Sequence, residues 1–374
     1  MNYCMRTLSR LSVILILAVA HFGCTDAVVP KFQFNGGFLL VEGRIADRPG
    51  FSEVRLARNE LLFDNYVLLP IPGATVVSIA DDGSEVSWIE SNEEEGVYRA
   101  PEDFAAVSGR SYRLRASTPQ GEIIESEAEP VPTSVPVADS RVRFQQEAYF
   151  SEGRNRFVPA FDLLVDVDDP AGEENFYQYN FSTFEMIRIC ASCMRARWRN
   201  GECIAGPDTR FVTRWDYLCN APCWFSSRAA GRNVISDEFG DGNRISDVLA
   251  GRFDWVRPGG VLFIVEQYNT SRASFEYNSV IEQLSEGGGG LNAPLPAALV
   301  GNLTDLSENN TSVLGFVGVT AVNEARIYLN RDTIDGTSLP FDGIPRLEPV
   351  MPAPPEAPCE GGTRTTVRPA GWPQ

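Results

Sequence analysis

Short stretches of alternating residue character, separated by turn residues, constrain the fold of this chain more than any other feature. Glu53–Arg58 alternates charged and apolar residues, the period of a strand with one buried face. Ala74–Ile79 leads into the hairpin signal Asp81–Gly83, and Val86–Glu90 would be its return strand. About seven short strands at this spacing, with little helix, indicate a mainly β chain with an N-terminal immunoglobulin/transthyretin-like β-sandwich over residues 38–130.

The rest of the chain is also predicted to be β-rich. A proline-marked linker at 131–137 leads into a second β-rich domain over 138–346, whose most apolar strand is Gly260–Tyr268. One short helix follows, with Ser271 as its N-cap and the glycine run 287–290 as its stop. Residues 347–374 form a proline-rich C-terminal tail, expected to be extended with little core of its own.

The N-terminus is typical of an exported lipoprotein. The apolar run Leu11–Ala20 is too short for a membrane span, which needs about 20 residues, and suits a signal peptide over 1–23. Gly23 directly before Cys24 indicates lipidation at Cys24, although His21 and Phe22 depart from the usual pattern before that cysteine. Residues 24–37 would then be the lipid anchor and tether; the alternative is an ordinary signal peptide with an incidental cysteine.

Charge and composition exclude several functions. The net charge is −18, and loss of the signal peptide with its two arginines makes it about −20, which argues against nucleic-acid binding. The chain has a single histidine, His21 in the signal peptide, and a single lysine, Lys31 near the anchor. Triads, histidine bases and histidine metal ligands are therefore excluded from the exported part. No catalytic residue, metal or cofactor is predicted.

Six cysteines remain after Cys4 leaves with the signal peptide and Cys24 takes the lipid. Five of them fall in a cysteine-rich loop, residues 190–224, and an even number in an exported protein predicts disulfides. The alternatives are a four-thiolate zinc site and redox activity of the C-x-x-C pair. The predicted disulfide residues are Cys190, Cys193, Cys203, Cys219, Cys223 and Cys359.

The same loop is dense in aromatic and arginine side chains, the residue types that gain most when buried at a contact. A contact surface is predicted there; the alternative is that these side chains pack the loop's own core. The residues are Arg197, Trp198, Trp215, Tyr217 and Trp224.

Two acidic runs contain possible calcium ligands. One is Asp166, Asp168 and Asp169, and the other holds Asp237, Glu238, Asp241 and Asp247. Neither has the EF-hand spacing with its closing glutamate, so surface turns are the favoured interpretation.

An ordered set of motifs resembles a known family. It includes Val41-Glu42-Gly43, the Glu266-Gln267-Tyr268 strand, Tyr277 in the helix, Gly301-Asn302-Leu303 and Val313-Leu314-Gly315-Phe316. From about residue 36 to 372 the chain resembles the exported lipoproteins of Bacteroidota known as domain of unknown function 4249. The resemblance implies an accessory lipoprotein of outer-membrane receptors driven by TonB, and it carries over no catalytic residues.

These observations favour an outer-membrane lipoprotein that is an accessory or ligand-binding partner of a TonB-dependent receptor, held by its lipid anchor on either face of that membrane. Two other hypotheses stay open. A carboxylate-dependent hydrolase of surface glycans would need a cleft with two acidic side chains. A structural envelope protein would have no ligand pocket.

Overall fold

A computed structural model of the chain describes residues 37–63, 65–194, 197–199, 202–206, 215–229, 233–238, 240–285, 299–307, 311–340, 359 and 363–374. Within 188–203 and 215–221 only the backbone is described. Gly37–Gln374 forms one compact unit. No helix among these residues is both long and apolar enough to cross a membrane. The protein is mainly β, as its alternating pattern predicts.

Ten described strands come from the first β-rich region. Alternation is clearest in β8, where Tyr112, Leu114 and Ala116 are buried and the residues between them are half-buried. The strands are β1 (Leu39–Ala46), β2 (Glu53–Leu62), β3 (Asn65–Pro70), β4 (Thr75–Ala80), β5 (Glu85–Ser87), β6 (Ile89–Glu90), β7 (Val97–Arg99), β8 (Ser111–Ser117), β9 (Ile123–Ser126) and β10 (Glu129–Pro130).

The second region contains longer strands. They are β11 (Val137–Ser151), β12 (Arg156–Asp168), β13 (Phe176–Met194), β14 (Arg197–Arg199), β15 (Glu202–Ile204), β16 (Trp215–Arg228), β17 (Asn233–Ser236), β18 (Arg244–Asp254), β19 (Gly260–Thr270), β20 (Leu303–Asp305), β21 (Val313–Asn330) and β22 (Arg364–Thr365). Helix α1 (Arg272–Ser285) follows β19, and a 3-10 helix (Arg331–Thr333) follows β21.

The predicted start of the helix is confirmed. The Ser271 hydroxyl accepts a hydrogen bond from the backbone N–H of Ser274 at 3.1 Å, which is the contact expected of an N-cap. The helix ends at Ser285. The glycine run 287–290, predicted as its stop, lies outside the described residues.

The described strands form one large sheet and three smaller ones. The large sheet has the order β22-β16-β13-β19-β21-β1-β2-β7-β6, with β17 beside β13 and β3 beside β2. A second sheet has the order β20-β9-β8-β4-β5, with β10 beside β8, and a third is β11-β12-β18. Strands β14 and β15 form a hairpin.

Two of these sheets cross the predicted boundary at 131–137. Strand β1 runs parallel to β21, with Leu39 opposite Val313, so both regions contribute to the large sheet. Strand β20 pairs with β9 in the second sheet. The predicted division into residues 38–130 and 138–346 therefore does not separate the sheets. A strand's pairing partner depends on tertiary packing, which local alternation does not reveal.

The large sheet is common to two β-sandwiches. On one stretch, Val317 and Val319 of β21 pack with Leu114 of β8 and the rest of the first core. Further along β21, Ile327 packs with Val165 of β12 in the second core. The long strand β21 thus packs against both cores and connects the two sandwiches.

The end of the C-terminal tail packs on the large sheet. Strand β22 pairs with β16, and the Trp372 ring lies 5.2 Å from that of Tyr328 and 6.2 Å from that of Trp224. The Arg326 guanidinium donates to the carbonyl of Ala370 at 2.8 Å. This part of the tail has well-defined contacts, in contrast to the predicted extended segment with little core, because Trp372 covers aromatic side chains of the sheet.

Candidate functional site

A cleft of about 560 Å³ lies between the large sheet and helix α1. Strand β1 contributes Glu42 and Arg44, β13 contributes Gln178 and Asn180, and β19 contributes Tyr268. Residues of α1 and β21 line the rest. The volume falls within the range of about 300–1,000 Å³ that is usual for small-molecule sites.

Strand alternation explains why polar side chains reach the cleft. In β1, Val41 and Ile45 point into the first core, so Glu42 and Arg44 project from the opposite face. The same rule applies in β13, where Tyr179 enters the second core and its neighbours face the cleft. The cleft therefore occupies the outer face of the shared sheet, away from both cores.

Arg44 and Tyr268 form the most distinctive contact of the cleft. The Arg44 guanidinium carbon lies 4.4 Å from the centroid of the Tyr268 ring, a cation–π arrangement. The Tyr268 hydroxyl donates to a carboxylate oxygen of Glu266 at 2.6 Å. Burial raises the pKa of Tyr268 well above its usual range, so the phenol stays neutral.

The neighbouring charged groups in the cleft have partners. Glu42 accepts a hydrogen bond from the Tyr277 hydroxyl at 3.3 Å. Glu53 pairs with Arg99 at 2.8 Å, and Arg55 pairs with Glu94 at 3.0 Å. These contacts fix acidic and basic groups that line the cleft together with Arg44.

Arg44 itself differs from these neighbours. Among the described residues, no carboxylate lies within ion-pair distance of its guanidinium. Its planar face stacks on Tyr268, whereas its N–H groups form no hydrogen bond to a described residue. A half-buried cation with open donors can accept an anionic group from a ligand.

Helix α1 forms the other wall of the cleft. The Tyr277 ring lies 5.2 Å from the Phe316 ring of β21, and Phe275 lies 5.1 Å from Phe176 of β13. The Asn278 side chain donates to the backbone carbonyl of Ser274 at 2.8 Å. Aromatic contacts with two strands hold the helix against the sheet, so the cleft is preformed.

One acidic cluster lies away from the cleft. Carboxylate oxygens of Asp169, Asp237 and Asp241 lie within 4.8 Å of one another, and oxygen ligands of this kind suit a hard cation. Protein donors already occupy the cluster: the Tyr177 hydroxyl donates to Asp169, and the Asn175 backbone N–H donates to Asp237 at 2.8 Å. Asp169 and Asp237 are buried, which differs from the predicted surface turns.

The neighbouring aspartates form ion pairs with arginine. Asp166 accepts hydrogen bonds from Arg141 at 2.9 Å and from Arg244 at 3.0 Å. A hydrogen bond from the backbone N–H of Asp247, together with these two guanidinium groups, lowers the pKa of Asp166 to about 2. Asp168 pairs with Arg244 at 3.3 Å. Arginine therefore balances the charge in this run.

A disulfide joins Cys223 of β16 to Cys359 in the tail, across a separation of 136 residues. The Cys223 sulfur is therefore unavailable to a zinc site built from Cys190, Cys193, Cys219 and Cys223. The side chains of Cys190, Cys193, Cys203 and Cys219, and all of Cys24, lie outside the described residues.

The proposed contact surface of the cysteine-rich loop is described at one position only. Trp224 is buried, and its ring lies 6.2 Å from that of Trp372 in the C-terminal tail. The side chains of the other four residues lie outside the described part of the chain; they are Arg197, Trp198, Trp215 and Tyr217.

Comparison with protein families decides the identity of the chain. A family model described as "Domain of unknown function (DUF4249)" matches residues 25–326, well over half of the 374 residues. The chain belongs to the DUF4249 family. The match begins directly after Cys24 and ends within β21.

Other comparisons add little to the DUF4249 assignment. No curated protein matches the sequence. Among solved structures, the chain is similar to a crystal structure of a DUF4785 family protein from Legionella pneumophila, with 10% identity and a TM-score of 0.18. That similarity covers 61% of this chain and 52% of the other, so the DUF4249 chain spans about half the length of that protein.

Several motifs by which the sequence resembles DUF4249 proteins meet in the cleft. Glu42 and Gly43 come from the first motif, Tyr268 from the β19 motif, Tyr277 from the helix and Phe316 from the last motif. These motifs are far apart in sequence, and the sheet order β19-β21-β1 brings them together. The cleft thus includes residues from several of the segments that carry the resemblance.

Nothing local in the sequence marks Arg44, Gln178 or Asn180 as functional. Gln178 and Asn180 alternate with Tyr177 and Tyr179 in an aromatic strand, and such polar positions are usually solvated. The sequence signal that could have indicated the cleft was the placement of amide side chains on the outer face of a strand, with a helix later in the chain. Recognising the site requires knowing that the helix covers that face.

Proposed function

We propose that this protein is an exported outer-membrane lipoprotein that binds a small ligand in the cleft and is an accessory or ligand-binding partner of a TonB-dependent receptor. The observation that carries the binding proposal is the Arg44 guanidinium stacked on Tyr268, without a carboxylate partner among the described residues. The cleft is preformed and of suitable volume.

The chemistry of the cleft favours a ligand with a carboxylate or phosphate group. Such a group would accept hydrogen bonds from the open edge of Arg44, whose planar donors match these anions. The amide side chains of Gln178 and Asn180 would contact polar groups of the same ligand. The aromatic pair Tyr277 and Phe316 offers an apolar surface nearby.

Three features support export and anchoring. The apolar run Leu11–Ala20 and the Gly23-Cys24 pair are typical of a lipoprotein signal sequence. The Cys223–Cys359 disulfide suits an oxidising compartment outside the cytoplasm. Partnership with a TonB-dependent receptor is what the family resemblance implies.

Native mass spectrometry of protein purified from its own membranes tests the binding proposal. We expect a bound anionic small molecule on the wild-type protein, and at least about tenfold lower occupancy on Arg44→Gln. Arg55→Gln is the matched control, because Arg55 also lines the cleft but pairs with Glu94. Equal occupancy on wild type and Arg44→Gln, or none on wild type, would contradict it.

Affinity purification from detergent-solubilised membranes tests the receptor partnership. We expect a barrel protein with a plug domain to be recovered with the tagged protein, and not with an unrelated tagged lipoprotein from the same membrane. Recovery of the protein free of any barrel would count against the partnership while leaving ligand binding untouched.

A glycan hydrolase is a second candidate, because Glu42 and Glu53 line the same cleft. Release of reducing sugar from surface glycan by wild type, and its loss in both Glu42→Gln and Glu53→Gln, would favour this activity. No release by the wild-type protein would remove it.

A further inference from the structure

The hairpin formed by β2 and β3 exposes an unusual amount of apolar surface. Leu61 lies opposite Tyr66 in the ladder, and Asn59 lies opposite Leu68. By strand alternation Leu61, Tyr66 and Leu68 share one face of the hairpin, and all three are exposed. This apolar hairpin, defined by residues 59–63 and 65–68, is therefore a candidate contact surface.

Its turn presents two further apolar side chains. Leu62 is 41% exposed and Phe63 is 97% exposed, so the Phe63 ring is almost completely in solvent. Phe63 also has a backbone φ of +50°, a conformation that bulky residues rarely adopt. An aromatic residue at such a position is not stabilised by packing in the core, which points to a contact outside the chain.

The hairpin is close to the point at which the tether leaves the fold. The backbone N–H of Gly37 donates to the carbonyl of Asn59 at 3.1 Å, and that of Asn59 donates to the carbonyl of Phe38 at 3.0 Å. Phe63 is four residues beyond Asn59, about 13 Å along an extended strand. Gly37 is 13 residues after Cys24, a length of chain that can span at most about 45 Å.

We propose that the apolar hairpin inserts its tip into the lipid bilayer to which Cys24 is anchored. The inference rests on the proposed lipid anchor, because a chain of at most about 45 Å would join Gly37 to an acylated Cys24. Leu61, Leu62 and Phe63 would enter the region between headgroups and acyl chains, where apolar and aromatic side chains are stabilised.

The charged residues in this segment of the sequence are Glu60 and Asp64, so attraction to anionic headgroups does not favour the contact and the apolar side chains must supply it. The chain carries a net charge of −18, so anionic headgroups repel it as a whole. Insertion of apolar side chains does not depend on that attraction. It would fix the orientation of the protein on the membrane, which a flexible lipid tether alone does not.

Tryptophan quenching by brominated phospholipid tests the insertion. Phe63→Trp and Val367→Trp are compared in the full lipidated protein, reconstituted in phosphatidylcholine vesicles with and without bromine on the acyl chains. Val367 is the matched control because it is also exposed, at 72%, and lies just after β22, the strand at the far end of the large sheet. We expect bromolipid to quench the fluorescence added by Phe63→Trp at least twofold more than that added by Val367→Trp.

Equal quenching of the fluorescence added by the two substitutions would overturn the proposal. So would protection of the tryptophan introduced by Phe63→Trp from aqueous acrylamide without lipid, because a second copy or a protein partner would then cover the hairpin. Phe63→Asp should fold because the side chain is exposed. When it is combined with Leu61→Trp, it is expected to abolish the excess quenching by bromolipid of the tryptophan at position 61 over that of Val367→Trp.

The anchor is tested separately by the intact mass of the protein, which shows whether Cys24 is acylated. An acylated protein without selective quenching would overturn hairpin insertion and leave the anchor standing. Selective quenching of protein without acyl chains would support insertion and overturn the anchor.

Discussion

The Ser271 hydroxyl donates a hydrogen bond of 2.7 Å to a carboxylate oxygen of Glu129, a residue 142 positions earlier in the chain. The other carboxylate oxygen of Glu129 accepts the backbone N–H of Val319 at 3.0 Å. Ser271 is the N-cap of α1, Glu129 lies in β10 and Val319 lies in β21. One buried side chain therefore connects the first sandwich, the shared sheet and the helix that covers the cleft.

We predict that Glu129→Ala lowers the free energy of unfolding by about 2–3 kcal/mol, because it leaves the buried N–H of Val319 without an acceptor. Glu129→Gln should change it by less than about 1 kcal/mol at pH 7. Burial raises the pKa of Glu129, although the Ser271 hydrogen bond opposes the shift, so the neutral amide avoids the cost of an ionised carboxylate.

Urea denaturation of the oxidised protein measures both effects. Glu127→Ala is the control, since Glu127 is exposed and close in sequence, and it should stay within about 0.5 kcal/mol of wild type. If Glu129→Ala and Glu127→Ala behaved alike, the carboxylate would not hold these elements together.

Much of the strand structure could be predicted from the sequence, because a strand with one buried face must alternate. β8 follows that rule throughout and β4 follows it from Thr75 to Ser78, and Ser271 was recognisable as a cap because its hydroxyl suits the first turn of a helix. The parallel pairing of β1 with β21 could not be predicted. It joins opposite ends of the chain, and many strands of similar composition could have paired there.

The site was only partly predictable for the same reason. Motifs containing Glu42, Tyr268 and Tyr277 were visible in the sequence, but nothing local indicated that they meet. Six cysteines allow 15 connectivities, and the link between Cys223 and Cys359 occurs in three of them. Pairing and proximity are properties of the fold, so they became apparent only with the sheet order.

The second prediction concerns acid stability. Asp162 is buried, yet its pKa is lowered, because hydrogen bonds from Arg252 at 2.6 Å and Arg143 at 3.1 Å outweigh the effect of burial. The ionised carboxylate of Asp162 stabilises the fold at pH values above the pKa of this group in the unfolded chain, which is about 4. This stabilisation is lost as the pH falls through the lower pKa that the group has in the folded protein. We expect Asp162→Asn to cost about 2 kcal/mol at pH 7 and less at pH 3.

Chemical denaturation at pH 7, 5 and 3 checks this dependence. The difference between wild type and Asp162→Asn should shrink as the pH falls. Asp168→Asn is the control, because Asp168 is mostly exposed and its ion pair with Arg244 lies at the surface. A difference for Asp162→Asn that stays constant down to pH 3 would mean that charge is not the source of its contribution.

The third prediction concerns the close approach of β1 and β21. A Cβ on Gly315 would lie 2.0 Å from the backbone oxygen of Val41, and the φ of Gly315 is +116°. We therefore expect Gly315→Ala to reduce the free energy of unfolding by about 3 kcal/mol or to prevent folding. Gly153→Ala, where a Cβ meets open space, should leave the urea midpoint unchanged. Equal midpoints for the two variants would show that β1 and β21 can separate at little cost.

The last prediction concerns the disulfide that holds the tail. Cys223→Ser and Cys359→Ser should each lower the free energy of unfolding by about 4 kcal/mol, because the bridge closes a loop of 136 residues that is otherwise free in the unfolded chain. The two variants should match each other, since either one breaks the same bond. Each should also release the contact between Trp372 and Trp224, which limited proteolysis of the C-terminal segment would detect. A zinc site at Cys223 would give the opposite pattern: a chelator would destabilise the wild-type protein, and alkylation without reductant would label Cys359.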